Sequence, residues 1–67
     1  MLDREGLLNI FKLAAEKERE AQEFYLKAAA DTPDPEAQKI FEEFAQIERH
    51  HEQVLIEKYR KLRETVI

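Results

Sequence analysis

Apolar residues recur every three or four positions along this chain, first over about residues 3–30 and again over about residues 35–66. This is the spacing of an α-helix with one apolar face, and the residues between them are mostly helix-favouring types. Asp31-Thr32-Pro33-Asp34-Pro35 interrupts the pattern. The pattern predicts one all-α domain over residues 1–67, with helix A over about 3–30, a turn over 31–34 and helix B over about 35–66.

Short polar side chains and prolines mark the ends of both predicted helices. Asp3 is a suitable cap for helix A. Asp34 can cap helix B with Pro35 in its first helical position. Because a short link makes neighbouring helices antiparallel, the chain is predicted to be an antiparallel helical hairpin.

Rows of residues seven apart are predicted to face a neighbouring helix. These rows are Phe11/Glu18/Tyr25 and Leu7/Ala14/Ala21/Ala28 in helix A, and Phe41/Glu48/Leu55/Leu62 and Ala37/Phe44/His51 in helix B, widened by Ile40, Ile47 and Val54. Glu18, Glu48 and His51 thus occupy positions where the pattern predicts apolar side chains. Because burial of an acid or an imidazole is costly without a partner, these three are the candidate functional residues.

The same three residues are also predicted to lie at one level of the hairpin. Glu18 is 15 residues before Pro33 and Glu48 is 15 residues after it. At a rise of 1.5 Å per residue, each lies about 22 Å from the turn. His51 follows Glu48 by one helical turn on the same face, which predicts that all three side chains meet.

A single chain of 67 residues buries a marginal core, and the sequence contains no cysteine. Self-association or a metal is therefore the expected source of further stability. The lack of cysteine also excludes Zn-thiolate sites, iron–sulfur clusters and thiol chemistry within this chain. Two hairpins that pair about a twofold axis would close a four-helix bundle.

Such a dimer would bring together Glu18, Glu48 and His51 from both copies. Four ionised glutamates buried together repel one another, and two divalent ions would balance their charge of −4. Mixed oxygen and nitrogen ligands suit iron or manganese, and zinc can also bind them. The residues therefore predict a metal site between subunits.

Composition argues against several other partners. The chain has 15 acidic and 11 basic residues, a formal charge of −4, whereas a nucleic-acid-binding surface is basic. No apolar run approaches the roughly 18–20 residues that span a bilayer. The first residues lack the basic and apolar regions of a secretory signal, so a cytoplasmic location is expected, with neither nucleic acid nor membrane as a partner.

Two segments of the chain resemble the rubrerythrin-type domains of the ferritin-like di-iron carboxylate superfamily. Glu18-Arg19-Glu20-Ala21, followed by Tyr25, is similar to the first-helix pattern Glu-x-x-Ala-x-x-x-Tyr of rubrerythrins. The segment from Phe41 to His51 is similar to their second-helix pattern, which ends in Glu-x-x-His. The resemblance covers nearly the whole chain, but only half of the usual four-helix domain.

The resemblance implies that Glu18, Glu48 and His51 are metal ligands and that Tyr25 places a hydroxyl near the metal-bound carboxylates. It implies a ferritin-like four-helix bundle formed by a homodimer or a higher homo-oligomer, with two iron ions per dimer site and manganese or zinc as alternatives. Encapsulated ferritin-like proteins likewise build a di-iron site between hairpins. Ala21 departs from the pattern, because some rubrerythrins carry an additional carboxylate there.

The implied activity is the oxidation of Fe(II) by O2 or peroxide, as in a ferroxidase or a peroxide-scavenging oxidoreductase. Because the chain has no cysteine-ligated rubredoxin module, peroxide reduction is expected to need an external electron donor. Two alternatives remain: a metal-free hairpin that dimerises or docks onto a partner helix, and a structural zinc site without turnover. Tyr25 is alternatively an ordinary interface aromatic.

The remaining polar residues are predicted to be solvated. His50 shares a polar face with Glu43 and Glu57, which favours a surface position. Most of a further set of acids that alternate with Lys and Arg are assigned to a solvated face: Glu16, Glu20, Glu23, Glu42, Glu43 and Glu52.

Overall fold

The computed structural model describes residues 3–64 and shows two helices that form a hairpin. Helix α1 spans Arg4–Asp31 and helix α2 spans Pro35–Glu64. Three of these ends lie within one residue of the predicted helices A and B. The predicted end of helix B at residue 66 lies outside the described residues. The all-α hairpin predicted from the sequence is confirmed.

Side-chain caps fix the start of both helices. The Gly6 amide donates to Asp3 Oδ1 at 2.8 Å, and the Ala37 amide donates to Asp34 Oδ2 at 3.0 Å. Each bond satisfies one of the amides that a helix N-terminus leaves without an intrahelical acceptor. Both predicted caps are confirmed, and α2 begins at Pro35 as expected.

The end of the hairpin opposite the turn is closed by Arg4. Its guanidinium donates to the main-chain oxygens of Leu62, at 2.6 Å, and Arg63, at 2.9 Å. The last carbonyls of a helix lack intrahelical donors, so one side chain of α1 satisfies two of them in α2. This contact ties the two helices together at the far end of a hairpin 53 Å long.

The contact between α1 and α2 is a narrow seam centred on alanines. Among the described residues, Ala15, Ala29 and Ala45 are the hydrophobic residues that are buried. Each lies one residue after a member of a predicted row. Ala15 and Ala29 follow members of the helix A row Leu7/Ala14/Ala21/Ala28, and Ala45 follows a member of the helix B row Ala37/Phe44/His51. The predicted row of helix A is part-buried throughout, whereas Phe44 and His51 of the helix B row are exposed, so the prediction was wrong for that row. Because alanines allow close approach of two backbones, the most deeply buried positions between the helices are occupied by small residues.

Eight large apolar side chains of the described residues are exposed on the hairpin surface. Ile40, Phe44, Ile47 and Val54 of α2 are 42–52% exposed, and they share one side of that helix at helical spacing. We call this side of α2 the open face. Neither helix, over the described residues 3–64, combines the length and hydropathy needed to cross a membrane.

Replacement of Ala45 by leucine is expected to destabilise the hairpin by about 1–3 kcal/mol, because the seam has no room for the added atoms. Urea denaturation at a fixed protein concentration measures the change. Ala30→Leu is the control, since Ala30 is exposed near the end of α1 and the same substitution there should change stability by less than about 0.5 kcal/mol. Equal effects of the two substitutions would contradict a close-packed seam at Ala45.

Candidate metal centre

Glu18, Glu48 and His51 meet in the middle of the hairpin. Glu18 projects from α1, whereas Glu48 and His51 project from successive turns of α2. One candidate ligand atom from each residue lies within 4.8 Å of the other two. The structure therefore confirms that the three side chains lie at one level of the hairpin, as predicted from the equal distances of Glu18 and Glu48 from Pro33.

Two of the separations within this group have the size expected for ligands of one ion. His51 Nδ1 lies 3.5 Å from Glu18 Oε2 and 3.6 Å from Glu48 Oε2. Oxygen and nitrogen ligands about 2.1 Å from an ion such as zinc can be at most about 4.2 Å apart. The side chains thus need little movement to share a cation.

Glu18 carries a buried oxygen that is not hydrogen-bonded. Within the described chain, Oε2 of Glu18 accepts no hydrogen bond, and His51 Nδ1 at 3.5 Å is beyond the usual range of about 2.7–3.2 Å. A desolvated carboxylate oxygen without a donor is unfavourable, whereas a cation satisfies it directly. The two carboxylates and the imidazole therefore fit a divalent ion such as iron, manganese or zinc.

His51 is more exposed than its predicted core position implied. Its side chain is 50% exposed, against 26% for Glu18 and 21% for Glu48. The reason is the rotation of α2, which turns the row of Phe44 and His51 towards the open face. A second molecule that covers the open face would also cover His51.

Tyr25 lies in an aromatic cluster next to this group. Its ring centroid is 6.4 Å from that of Phe41 and 5.4 Å from that of Phe44. Tyr25 also lines a small hollow together with Glu48 and Ile47. The ring is thus placed beside one candidate ligand, while the predicted role of its hydroxyl stays a prediction.

Glu52 is the exception among the six acids of which most were predicted to lie on a solvated face. Its side chain is only 13% exposed, and both of its oxygens accept hydrogen bonds from α1. Gln22 Nε2 donates to Oε1 at 2.7 Å, and Arg19 Nε donates to Oε2 at 2.9 Å. The hydrogen bond from Gln22 is the largest cause of a lowered pKa for Glu52, followed by that from Arg19, against an opposing effect of burial. We call these three residues the clasp.

A signal for the clasp was present in the sequence. Gln22 follows Glu18 by four residues and Glu52 follows Glu48 by four residues, so each lies one turn from a candidate ligand. The other acids of the predicted solvated face are exposed, as expected: Glu16, Glu20, Glu23, Glu42 and Glu43. His50 is exposed as predicted, although it also lines the hollow shared by Glu18 and His51.

Comparison with known proteins identifies one family. A family model described as Rubrerythrin matches residues 2–67, a range that includes both helices and all three candidate ligands. No curated protein and no solved structure matches the chain.

In metal-free protein, Glu18→Gln is expected to leave stability unchanged or to raise it by up to about 1 kcal/mol, because it removes a buried carboxylate without a hydrogen-bond donor. Urea denaturation with EDTA at pH 8, above the usual titration range of imidazoles, measures this. Glu16→Gln, at an exposed position of the same helix, is the control. A loss of more than about 1 kcal/mol in Glu18→Gln alone would mean that this carboxylate stabilises the metal-free fold.

Proposed function

Because the chain belongs to the rubrerythrin family, we propose that two copies pair and hold two iron ions between them, where Fe(II) is oxidised by O2 or peroxide. One observation carries this proposal. Glu18, Glu48 and His51 place three ligand atoms within 4.8 Å of one another, and one of the carboxylate oxygens is buried without a hydrogen bond.

The open face supports pairing of two copies. A hairpin with a seam of alanines leaves Phe44, Ile47 and Val54 about half exposed, and burial of such side chains is favourable. His51 lies on the same side of α2 as these residues, half exposed beside Glu18 and Glu48. A second hairpin on this face supplies a second set of the three ligands and completes a four-helix bundle.

Charge supports two ions in such a dimer. Two copies contribute four carboxylates, and their mutual repulsion in a poorly solvated site disfavours the ionised state. Two divalent cations balance this charge while both imidazoles remain neutral ligands. The expected stoichiometry is therefore one ion per chain.

The chain's own residues provide binding, orientation and exclusion of water. Glu18 and Glu48 offer anionic oxygens that favour cations of higher charge. His51 adds a nitrogen ligand one helical turn after Glu48. The covered open face keeps bulk water from the site. When bound, iron supplies the electrons, since two Fe(II) ions together reduce one peroxide to water with two protons. A further round then requires fresh Fe(II) or an external electron donor.

Protein purified anaerobically and supplied with Fe(II) is expected to contain about one iron per chain, measured by plasma mass spectrometry. His51→Ala should lose most of this iron because it removes one of three ligands per chain. His50→Ala is the matched control, because it deletes the neighbouring imidazole at an exposed position and should retain iron. Loaded wild-type protein should then oxidise Fe(II) faster than iron in buffer on addition of O2 or peroxide.

Other results would overturn parts of this proposal. No stoichiometric metal in wild type, even after Fe(II) is supplied, would overturn the di-iron proposal and leave a metal-free hairpin that pairs or docks with a helix. Zinc retention without any Fe(II) oxidation would indicate a structural site.

Ile47→Lys is expected to convert the dimer to a monomer and to lower iron content, because it places a charge in the centre of the open face. Sedimentation velocity measures the mass, and metal analysis of the same samples measures the iron. Leu26→Lys is the control. Leu26 is 55% exposed, but it lies seven residues after Arg19, on the clasp side of α1. A dimer that withstands Ile47→Lys would place the subunit interface elsewhere.

A further inference from the structure

We propose that the clasp, Gln22–Glu52–Arg19, is a positioning element that holds Glu18 of α1 at a fixed height and distance from Glu48 and His51 of α2. This inference rests on the proposed metal centre and assigns it three residues that are not themselves ligands. The contacts of Glu52 are the observation behind it, because one carboxylate of α2 accepts from two residues of α1.

Each member of the clasp is coupled to a ligand by the helix backbone. Arg19 directly follows Glu18, and Gln22 is one turn further along the same helix. The Gln22 side chain also reaches back to the main-chain oxygen of Glu18, at 3.4 Å. On the other helix, Glu52 directly follows His51 and lies one turn after Glu48. A shift of either helix therefore moves ligand and clasp residue together.

Apart from the rings of Tyr25, Phe41 and Phe44 on the side of the hairpin turn, the seam provides little near the ligands that would resist such a shift. Its buried residues Ala15 and Ala45 are small and have few atoms to interlock with the facing helix. The carboxylates of Glu18 and Glu48 repel each other across the seam when no cation lies between them. A site whose ligands come from two elements needs them held to within about 0.5 Å, which calls for a directional contact beside it.

The clasp also explains why Glu52 is absent from the candidate ligand group. Glu48 and Glu52 are the same residue type, one turn apart on one helix, and both are partly buried. Both oxygens of Glu52 accept from donors at 2.7 and 2.9 Å, whereas one oxygen of Glu48 and one of Glu18, Oε2 in each, lie near His51 Nδ1. Strong hydrogen bonds thus hold the carboxylate of Glu52 against α1, while the carboxylate of Glu48 remains available to a cation.

Gln22→Glu tests the proposal, because it replaces the donor that faces Glu52 with a second carboxylate. Simple attraction between charges predicts tighter cation binding after this change. Loss of the clasp predicts the opposite, about 10-fold weaker binding of Co(II) with altered visible bands, which report ligand geometry. The double variant Gln22→Glu/Glu52→Gln exchanges donor and acceptor, and it should restore most of the affinity and the wild-type bands.

Two further variants separate the clasp from general effects. Gln22→Met removes the donor without adding charge and should also weaken Co(II) binding. Gln46→Glu adds a carboxylate two residues before Glu48 at an exposed position, and it should leave both affinity and spectrum unchanged. Circular dichroism and thermal unfolding of metal-free samples compare the folds of all variants.

The outcomes distinguish this inference from the function on which it depends. If wild type binds Co(II) and both Gln22 variants bind it within about twofold with the same spectrum, the clasp proposal is wrong and the metal centre stands. If the Gln22 variants bind Co(II) more weakly but the double variant Gln22→Glu/Glu52→Gln does not restore the affinity, the hydrogen bond between these two residues does not position the ligands. The proposal is then also wrong. If wild type binds neither Co(II) nor Fe(II), the proposed function fails and the inference fails with it.

Discussion

The whole site depends on the axial register of two helices, because one ligand comes from α1 and the other two come from α2. A slip of α2 by one residue would move Glu48 by about 1.5 Å along the axis and by about 100° around it. Hydrogen bonds resist that slip at three different heights of the hairpin. The turn with its Asp34 cap sets one end, Arg4 ties the other, and the clasp bridges the helices next to Glu18.

Close packing along alanines has two consequences for the molecule. It brings the backbones near enough for short side chains such as Glu18 and Glu48 to approach one another across the seam. It also buries little apolar surface, because Ala15, Ala29 and Ala45 are small. The larger apolar side chains face outward, and their burial against another molecule is the natural source of the stability that one hairpin lacks.

The sequence predicted the features that depend on position along each helix. Helix ends followed from Asp3, Asp34 and the prolines, and the level of Glu18 and Glu48 followed from equal distances to Pro33. Rotation of each helix about its axis was harder to predict. Hydropathy marks a broad apolar side, but this side contains both the seam and the open face, and the choice between them depends on side-chain size. Ala45 and Phe44 are adjacent and both apolar, yet one is buried and the other is 43% exposed.

The same ambiguity explains the misplacement of Glu52. On a sequence, an acid among Lys and Arg residues is most simply explained as solvated, and nothing about Glu52 by itself distinguishes it from the exposed Glu42 or Glu43. The sequence spacing places Gln22 and Glu52 each one turn from a candidate ligand, but only the packed helices show that the two side chains are hydrogen-bonded to each other. The acids of the seam then differ in how many of their oxygens are hydrogen-bonded. Glu52 has a hydrogen-bond donor on each oxygen, whereas Glu18 keeps a buried oxygen without a donor, which a cation would satisfy.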